Sequence, residues 1–171
     1  MRAKAFIACG LTVLVVILLA ATQAMSQTVR VRWERTTDFE KYQTYAWLEG
    51  TRVKDDQSHR FIVEYVDGQL GINSVFKDEN EPDLYVVYHA AAKGTFEITG
   101  GYGRDWKGAD AVTVNSHVAG TLVVDLVDAA ENQLVWRGTA TATVSSEPKK
   151  NQDTVRKAVE KMFVDFPPGT K

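Results

Sequence analysis

The sequence predicts an α+β domain: a predominantly antiparallel sheet of about six strands with two helices packed on one face. Three observations carry that reading. Short segments alternate apolar and polar residues, the period of a half-buried strand. Two longer segments repeat their apolar residues every three or four positions, the period of an amphipathic helix. The connections are mostly short, so consecutive strands should lie side by side.

In chain order, Val29, Val31 and Trp33 alternate with Arg30, Arg32 and Glu34, which makes the first strand. After a turn over Asp38 to Lys41, Gln43 to Leu48 forms the second, with Tyr45 and Trp47 on one side and Ala46 and Leu48 on the other. Ile62, Val66 and Leu70 then recur at helical spacing, predicting a helix over Ser58 to Leu70 that stops at Gly71. Asp83 to His89 is β-prone at nearly every residue and reads as a central strand. Phe96 and Ile98 alternate with threonines and Glu97 in a further strand that runs into a glycine cluster.

Val112, Val114, Val118, Leu122, Val124 and Leu126 fall on the even positions with Gly120, and one long strand, bent at Asn115 and Ser116, is the simplest reading. Leu134, Trp136, Gly138, Ala140, Ala142 and Val144 form the next even-numbered face. These two strands should pair as a hairpin, with Asn132 taking the left-handed turn conformation. Ala140 and Ala142 of that face are small enough for a helix backbone to approach them closely. The visitor is a second helix over Asp153 to Val164, striped by Val155, Ala158, Val159, Met162 and Phe166 and ended by Pro167 and Pro168.

Residues 1–26 read as a leader outside this domain, which then occupies 27–171. Arg2 and Lys4 supply a basic start, Leu11 to Ala21 is apolar, and small residues follow, the pattern of an export signal cut after Ala24 or Ser26. An uncleaved anchor is the rival, because residues 5–22 carry no charge and just reach the length of a membrane span. Membrane contact is expected only if the leader is retained. Without Arg2 and Lys4, 18 basic residues face 22 acidic ones, a net charge of −4. No basic stripe remains to follow a phosphate backbone, so nucleic acid is not an expected partner. The only cysteine, Cys9, lies in the leader, and the domain beyond it has no thiol for disulfides or nucleophilic chemistry.

Several pieces together resemble the bacterial envelope family called domain of unknown function 4136, whose members are often predicted lipoproteins. They are DFEKYQTYAWL at Asp38 to Leu48, PDLYVVYH at Pro82 to His89, GTLVVDLVDA at Gly120 to Ala129, QLVWRGTA at Gln133 to Ala140, and FPP at Phe166 to Pro168. The resemblance implies a periplasmic or outer-envelope address and a fold, but no activity. This chain departs from the lipoprotein form by lacking a cysteine after its apolar run.

The search for chemistry returns no catalytic residue, no cofactor site and no metal site. The glycines at 100, 101, 103 and 108 miss the dinucleotide fingerprint because Trp106 stands where the third glycine belongs. No phosphate loop follows either, since Gly108 precedes Ala109 and Asp110. The serines lie in no nucleophile elbow. His59, His89 and His117 lack ligand spacing, although His89 and His117 fall on strands that could be neighbours, with Asp125 on the face of His117. What remains unusual is the loop carrying Tyr102, Arg104 and Trp106, side chains enriched at binding hot spots, on a glycine-rich backbone. It is the candidate contact loop, weighed against a connection whose aromatics fold back onto the sheet.

The expected role is a non-enzymatic exported protein contacting an envelope protein or a peptidoglycan-associated component. The alternative is a small apolar-ligand carrier with its site near Trp47, Tyr65 and Tyr85, and a hydrolase ranks below both.

Overall fold

The computed structural model describes residues 27–99 and 113–168. Six strands and two α-helices follow one another as β1 (Thr28–Trp33), β2 (Thr44–Trp47), α1 (Asp56–Ile72), β3 (Phe76–Lys77), β4 (Leu84–Thr99), β5 (Thr113–Asp128), β6 (Gln133–Val144) and α2 (Pro148–Phe163). A single 3-10 turn, Phe39–Lys41, precedes β2. The sheet order is β1-β6-β5-β4-β2-β3.

The sheet is mixed rather than predominantly antiparallel, although most of its pairings are antiparallel. From β1 through β6 and β5 to β4 each successive pair is antiparallel, whereas β2 lies parallel to both β3 and β4. The reason is the connection: the chain leaves β2, crosses through α1 and re-enters the sheet in the same direction, as a strand-helix-strand crossover requires. The count of six is met with different members. The segments at Asp83 to His89 and Phe96 to Thr99 are one continuous strand, β4, and the sixth place is filled by the two-residue β3.

Helix α1 starts with Asp55 as its cap, the carboxylate accepting the Ser58 N–H at 2.7 Å. It buries Ile62, Val66 and Leu70 and runs through Gly68 and Gly71 to Asn73. Helix α2 begins a turn earlier than its apolar stripe predicts, with Pro148 in its first turn, where a missing N–H costs nothing. Its Ala158, Val159, Met162 and Phe163 join α1 residues in one core with Leu84, Val86 and Tyr88 of β4, Leu122, Val124 and Leu126 of β5, and Trp136 of β6. Trp136 packs its ring on Phe163 at 4.8 Å between centroids.

Close approach of α2 to β6 falls on Gly138, where a Cβ would meet Trp136 Cη2 at 2.6 Å and Met162 Sδ at 2.9 Å. The hairpin turn places Asn132 at φ 53°, as its residue type predicts. A bulge between Leu126 and Val127 pairs Leu126 with Trp136 but Val127 with Leu134. Parity therefore breaks below Trp136: Val135 is buried and Leu134 is exposed, the reverse of the strict even-numbered face.

Candidate functional site

Strands β4 and β5 pair from Leu84 with Asp128 out to Thr99 with Thr113. Their neighbour β6 accompanies β5 only from Asp128 to Val118. Beyond that point, among the described residues, 95–99 and 113–117 pair only with each other, so a two-stranded ribbon runs on for five residues per strand, about 17 Å at the usual rise. The candidate contact residues Tyr102, Arg104 and Trp106 lie in 100–112, outside the described residues, between the two strands of this ribbon. At the ribbon's root Ala91, Ala92, Lys93 and Gly94 are exposed, as are the paired Val118 and Val144.

Three carboxylates hold the body of the domain together. Asp128 is nearly buried and accepts from Lys41 Nζ and Tyr42 OH, both at 2.8 Å, and from the Ala130 and Glu131 N–H groups. Burial alone would raise its pKa, but the Lys41, Glu131 and Tyr42 hydrogen bonds prevail and hold it at about 2. Burial and the same carboxylate push the Tyr42 phenol up to about 12. Asp83 caps the start of β2, accepting the Gln43 and Thr44 N–H groups, and the Gln43 bond leads in holding its pKa low. Asp67 of α1 accepts both the Tyr45 hydroxyl at 2.7 Å and the Trp47 indole N–H at 2.8 Å.

Trp47 meets Tyr88 edge to face, and the Tyr88 hydroxyl lies 2.6 Å from His59 Nδ1. Burial raises the phenols of Tyr45, with the Asp67 bond adding to it, and of Tyr88. Both therefore stay protonated near neutral pH, where they can donate but not abstract a proton. The local sequence announces none of these partnerships, because Asp128 and Tyr42 are 86 residues apart and Asp83 and Thr44 are 39 apart. An acid flanked by β-prone residues, or closing a turn, was the only available signal.

The expected ligand aromatics do not converge. Trp47 is beside Val86 on the helix side of the sheet, while Tyr85 pairs with Ala46 and faces the opposite side. Tyr65 accepts from Gln152 of α2 and stacks on Phe61. A cleft of about 600 Å³ opens elsewhere, floored by Phe39, Tyr42, Val75 and Phe166 and edged by the exposed Phe76.

The histidines are likewise apart. His89 pairs with Val123 and His117 with Thr95, so the two lie six positions from each other along neighbouring strands, about 20 Å. His89 Nδ1 contacts Thr51, and Asp125 is taken by Arg137. Among the described residues no group of three or more His, Cys, Asp or Glu side chains is placed to hold a metal ion. No helix among them is long and apolar enough to cross a membrane.

A family model described as "Domain of unknown function (DUF4136)" matches residues 29–168. No curated protein matches the chain. Among solved structures, a PDZ domain protein from Parabacteroides distasonis is similar over 85% of this chain at 13% identity, with a TM-score of 0.58; this chain spans 37% of that protein's length. The PelC dodecamer from Paraburkholderia phytofirmans is similar over 80% of this chain and 97% of its own, at 12% identity and a TM-score of 0.48. At 13% identity the likeness to the PDZ domain protein is one of fold.

Proposed function

This chain belongs to the DUF4136 family, and on that premise we propose that it is an exported, non-enzymatic contact module of the bacterial envelope. Its partner is an envelope protein or a peptidoglycan-associated component, reached through the β4–β5 ribbon and its 100–112 loop. The observation that supports the reading is the ribbon itself: its strands outrun their own sheet with no third neighbour among the described residues, and an isolated two-stranded hairpin is marginal in water. The leader supports export, and N-terminal sequencing of the mature form should begin at Met25 or Gln27.

The test is the double substitution Tyr102→Ala with Trp106→Ala. It should lower stability by less than about 1 kcal/mol, as surface positions do, and weaken capture of an envelope partner from native membranes. Unfolding of the domain would instead place both aromatics in the core and end the contact-loop reading. A second reading, a carrier of a small apolar ligand, is supported by the aromatic cleft between Phe39 and Phe166. Organic extraction of protein from its native host, followed by mass spectrometry, separates the two: a stoichiometric lipid or other apolar molecule favours the carrier.

A further inference from the structure

Strand β1 closes one side of the sheet, paired with β6 on its inner edge and with no other strand among the described residues on its outer edge. Glu34 donates inward to the Val135 carbonyl at 2.9 Å. By the two-residue alternation of a strand, Val29, Val31 and Trp33 turn their N–H and C=O groups outward. The edge thus offers an unpaired hydrogen-bonding row, and its side chains sort by face. Val29 and Val31 pack half-buried on the core side beside the 45% exposed Trp33, while Arg30 and Arg32 are exposed on the open face of the sheet.

The open face carries a charge pattern that stops short. Asp125 of β5, Arg137 of β6 and Arg32 of β1 lie directly across from one another in one transverse row. Asp125 grips Arg137 through two bonds, Nε to Oδ1 at 2.6 Å and Nη2 to Oδ2 at 2.7 Å. Arg32 therefore faces a like charge already neutralised by another partner, and it has no ion pair among the described residues. Directly opposed like charges destabilise a sheet. The position that would relieve Arg32 is the next one outward, on a strand not belonging to this domain. Arg30, opposite the uncharged Thr139, asks for the same partner one repeat along.

We propose that the outer edge of β1 is a strand-addition site for an extended segment of a partner protein in which acidic and apolar residues alternate. Its backbone would extend the ladder, its acids would meet Arg30 and Arg32, and its apolar residues would cover Val31 and Trp33. A second copy of this chain is the wrong occupant, because antiparallel pairing of β1 with itself would set arginine against arginine. The charged edge thus works as a filter: it repels self-association and admits the opposite sign. This site is separate from the ribbon loop, and its test does not touch that loop.

The probe is a fluorescein-labelled octapeptide alternating glutamate and valine, titrated with the full chain at low salt and followed by anisotropy. It should bind, and its lysine-valine counterpart should bind at least about tenfold more weakly. Methylating alternate backbone nitrogens of the probe, which keeps every charge but removes ladder donors, should also weaken it about tenfold. The variant Arg30→Glu with Arg32→Glu, shown folded by circular dichroism, should invert the preference toward the lysine peptide. Absence of binding, equal binding of the methylated probe, unchanged preference in the variant, or a concentration-dependent dimer through β1 would each overturn the proposal.

Discussion

The two halves of the β4–β5 pair share one ladder and one register but live in different surroundings. In the inner half Leu84, Val86 and Tyr88 alternate toward the helices, and Leu122, Val124 and Leu126 answer them from β5; all are buried. At the start of the outer half the corresponding stretch is Ala91, Ala92, Lys93 and Gly94, exposed, with Val118 across from Gly94 also exposed. Backbone pairing continues across the boundary while packing does not. Hydrogen bonds keep a strand straight, but apolar burial decides which part of it anchors the fold. The inner half is the anchor, and the outer half is the part the proposed contact would use.

The anchor should fail first at Trp136, 1% exposed between Leu126 and the Phe163 and Phe166 rings. Trp136→Ala should cost about 3 to 5 kcal/mol in denaturant melts. A loss below about 1 kcal/mol would dissolve the distinction between the halves.

Next in size is Asp128, the last residue of β5, which ties the 3-10 turn and the hairpin to the anchor end. Its folded pKa of about 2 lies below the ordinary carboxylate value of 3.8, so its contribution is complete above about pH 4 and is lost as pH falls through 2. A shift of about two units corresponds to about 2 to 3 kcal/mol. Asp128→Asn should therefore be less stable than the parent by that much at pH 6 and nearly equal to it at pH 2, whereas a deficit constant with pH would mean the carboxylate charge is not what holds the turn. Smaller again is Gly138→Ala: the added methyl would press on Trp136 and Met162, and about 1 to 2 kcal/mol is expected, measured the same way.

How far the sequence announced this architecture follows the same division. Segments buried on one face were legible: Ile62, Val66 and Leu70 mark α1, Val29 to Trp33 marks β1, and Asn132 marks its turn. Where burial is absent the pattern goes silent. The stretch Ala90 to Gly94 carries neither alternation nor β-branched residues, so one strand read as two. Strand β3 has two residues, too few for any period, and with it went the parallel pairing of β2. Val135 entered the core through a bulge, which no residue type marks. The contact loop stood out by composition, yet the carboxylate ties of Asp67, Asp83 and Asp128 did not, because their donors arrive from distant parts of the chain.

The finest test of the comparison uses exchange of backbone amide protons, because it reads both halves of one ladder in one experiment. Ladder amides around Val86 and Val124, under buried side chains, should exchange only when the whole domain opens. Those in 95–99 and 113–117 have one partner strand and should exchange by local fraying of the ribbon, with far less protection. Destabilising the anchor then separates the two modes. In Trp136→Ala the protection of Val86 and Val124 should fall by the full loss of global stability, while the ribbon amides keep their original rates because their opening never required the core to open. If the ribbon amides accelerate in step with the core, the outer half unfolds with the anchor, and the contact arm is a cooperative part of the domain.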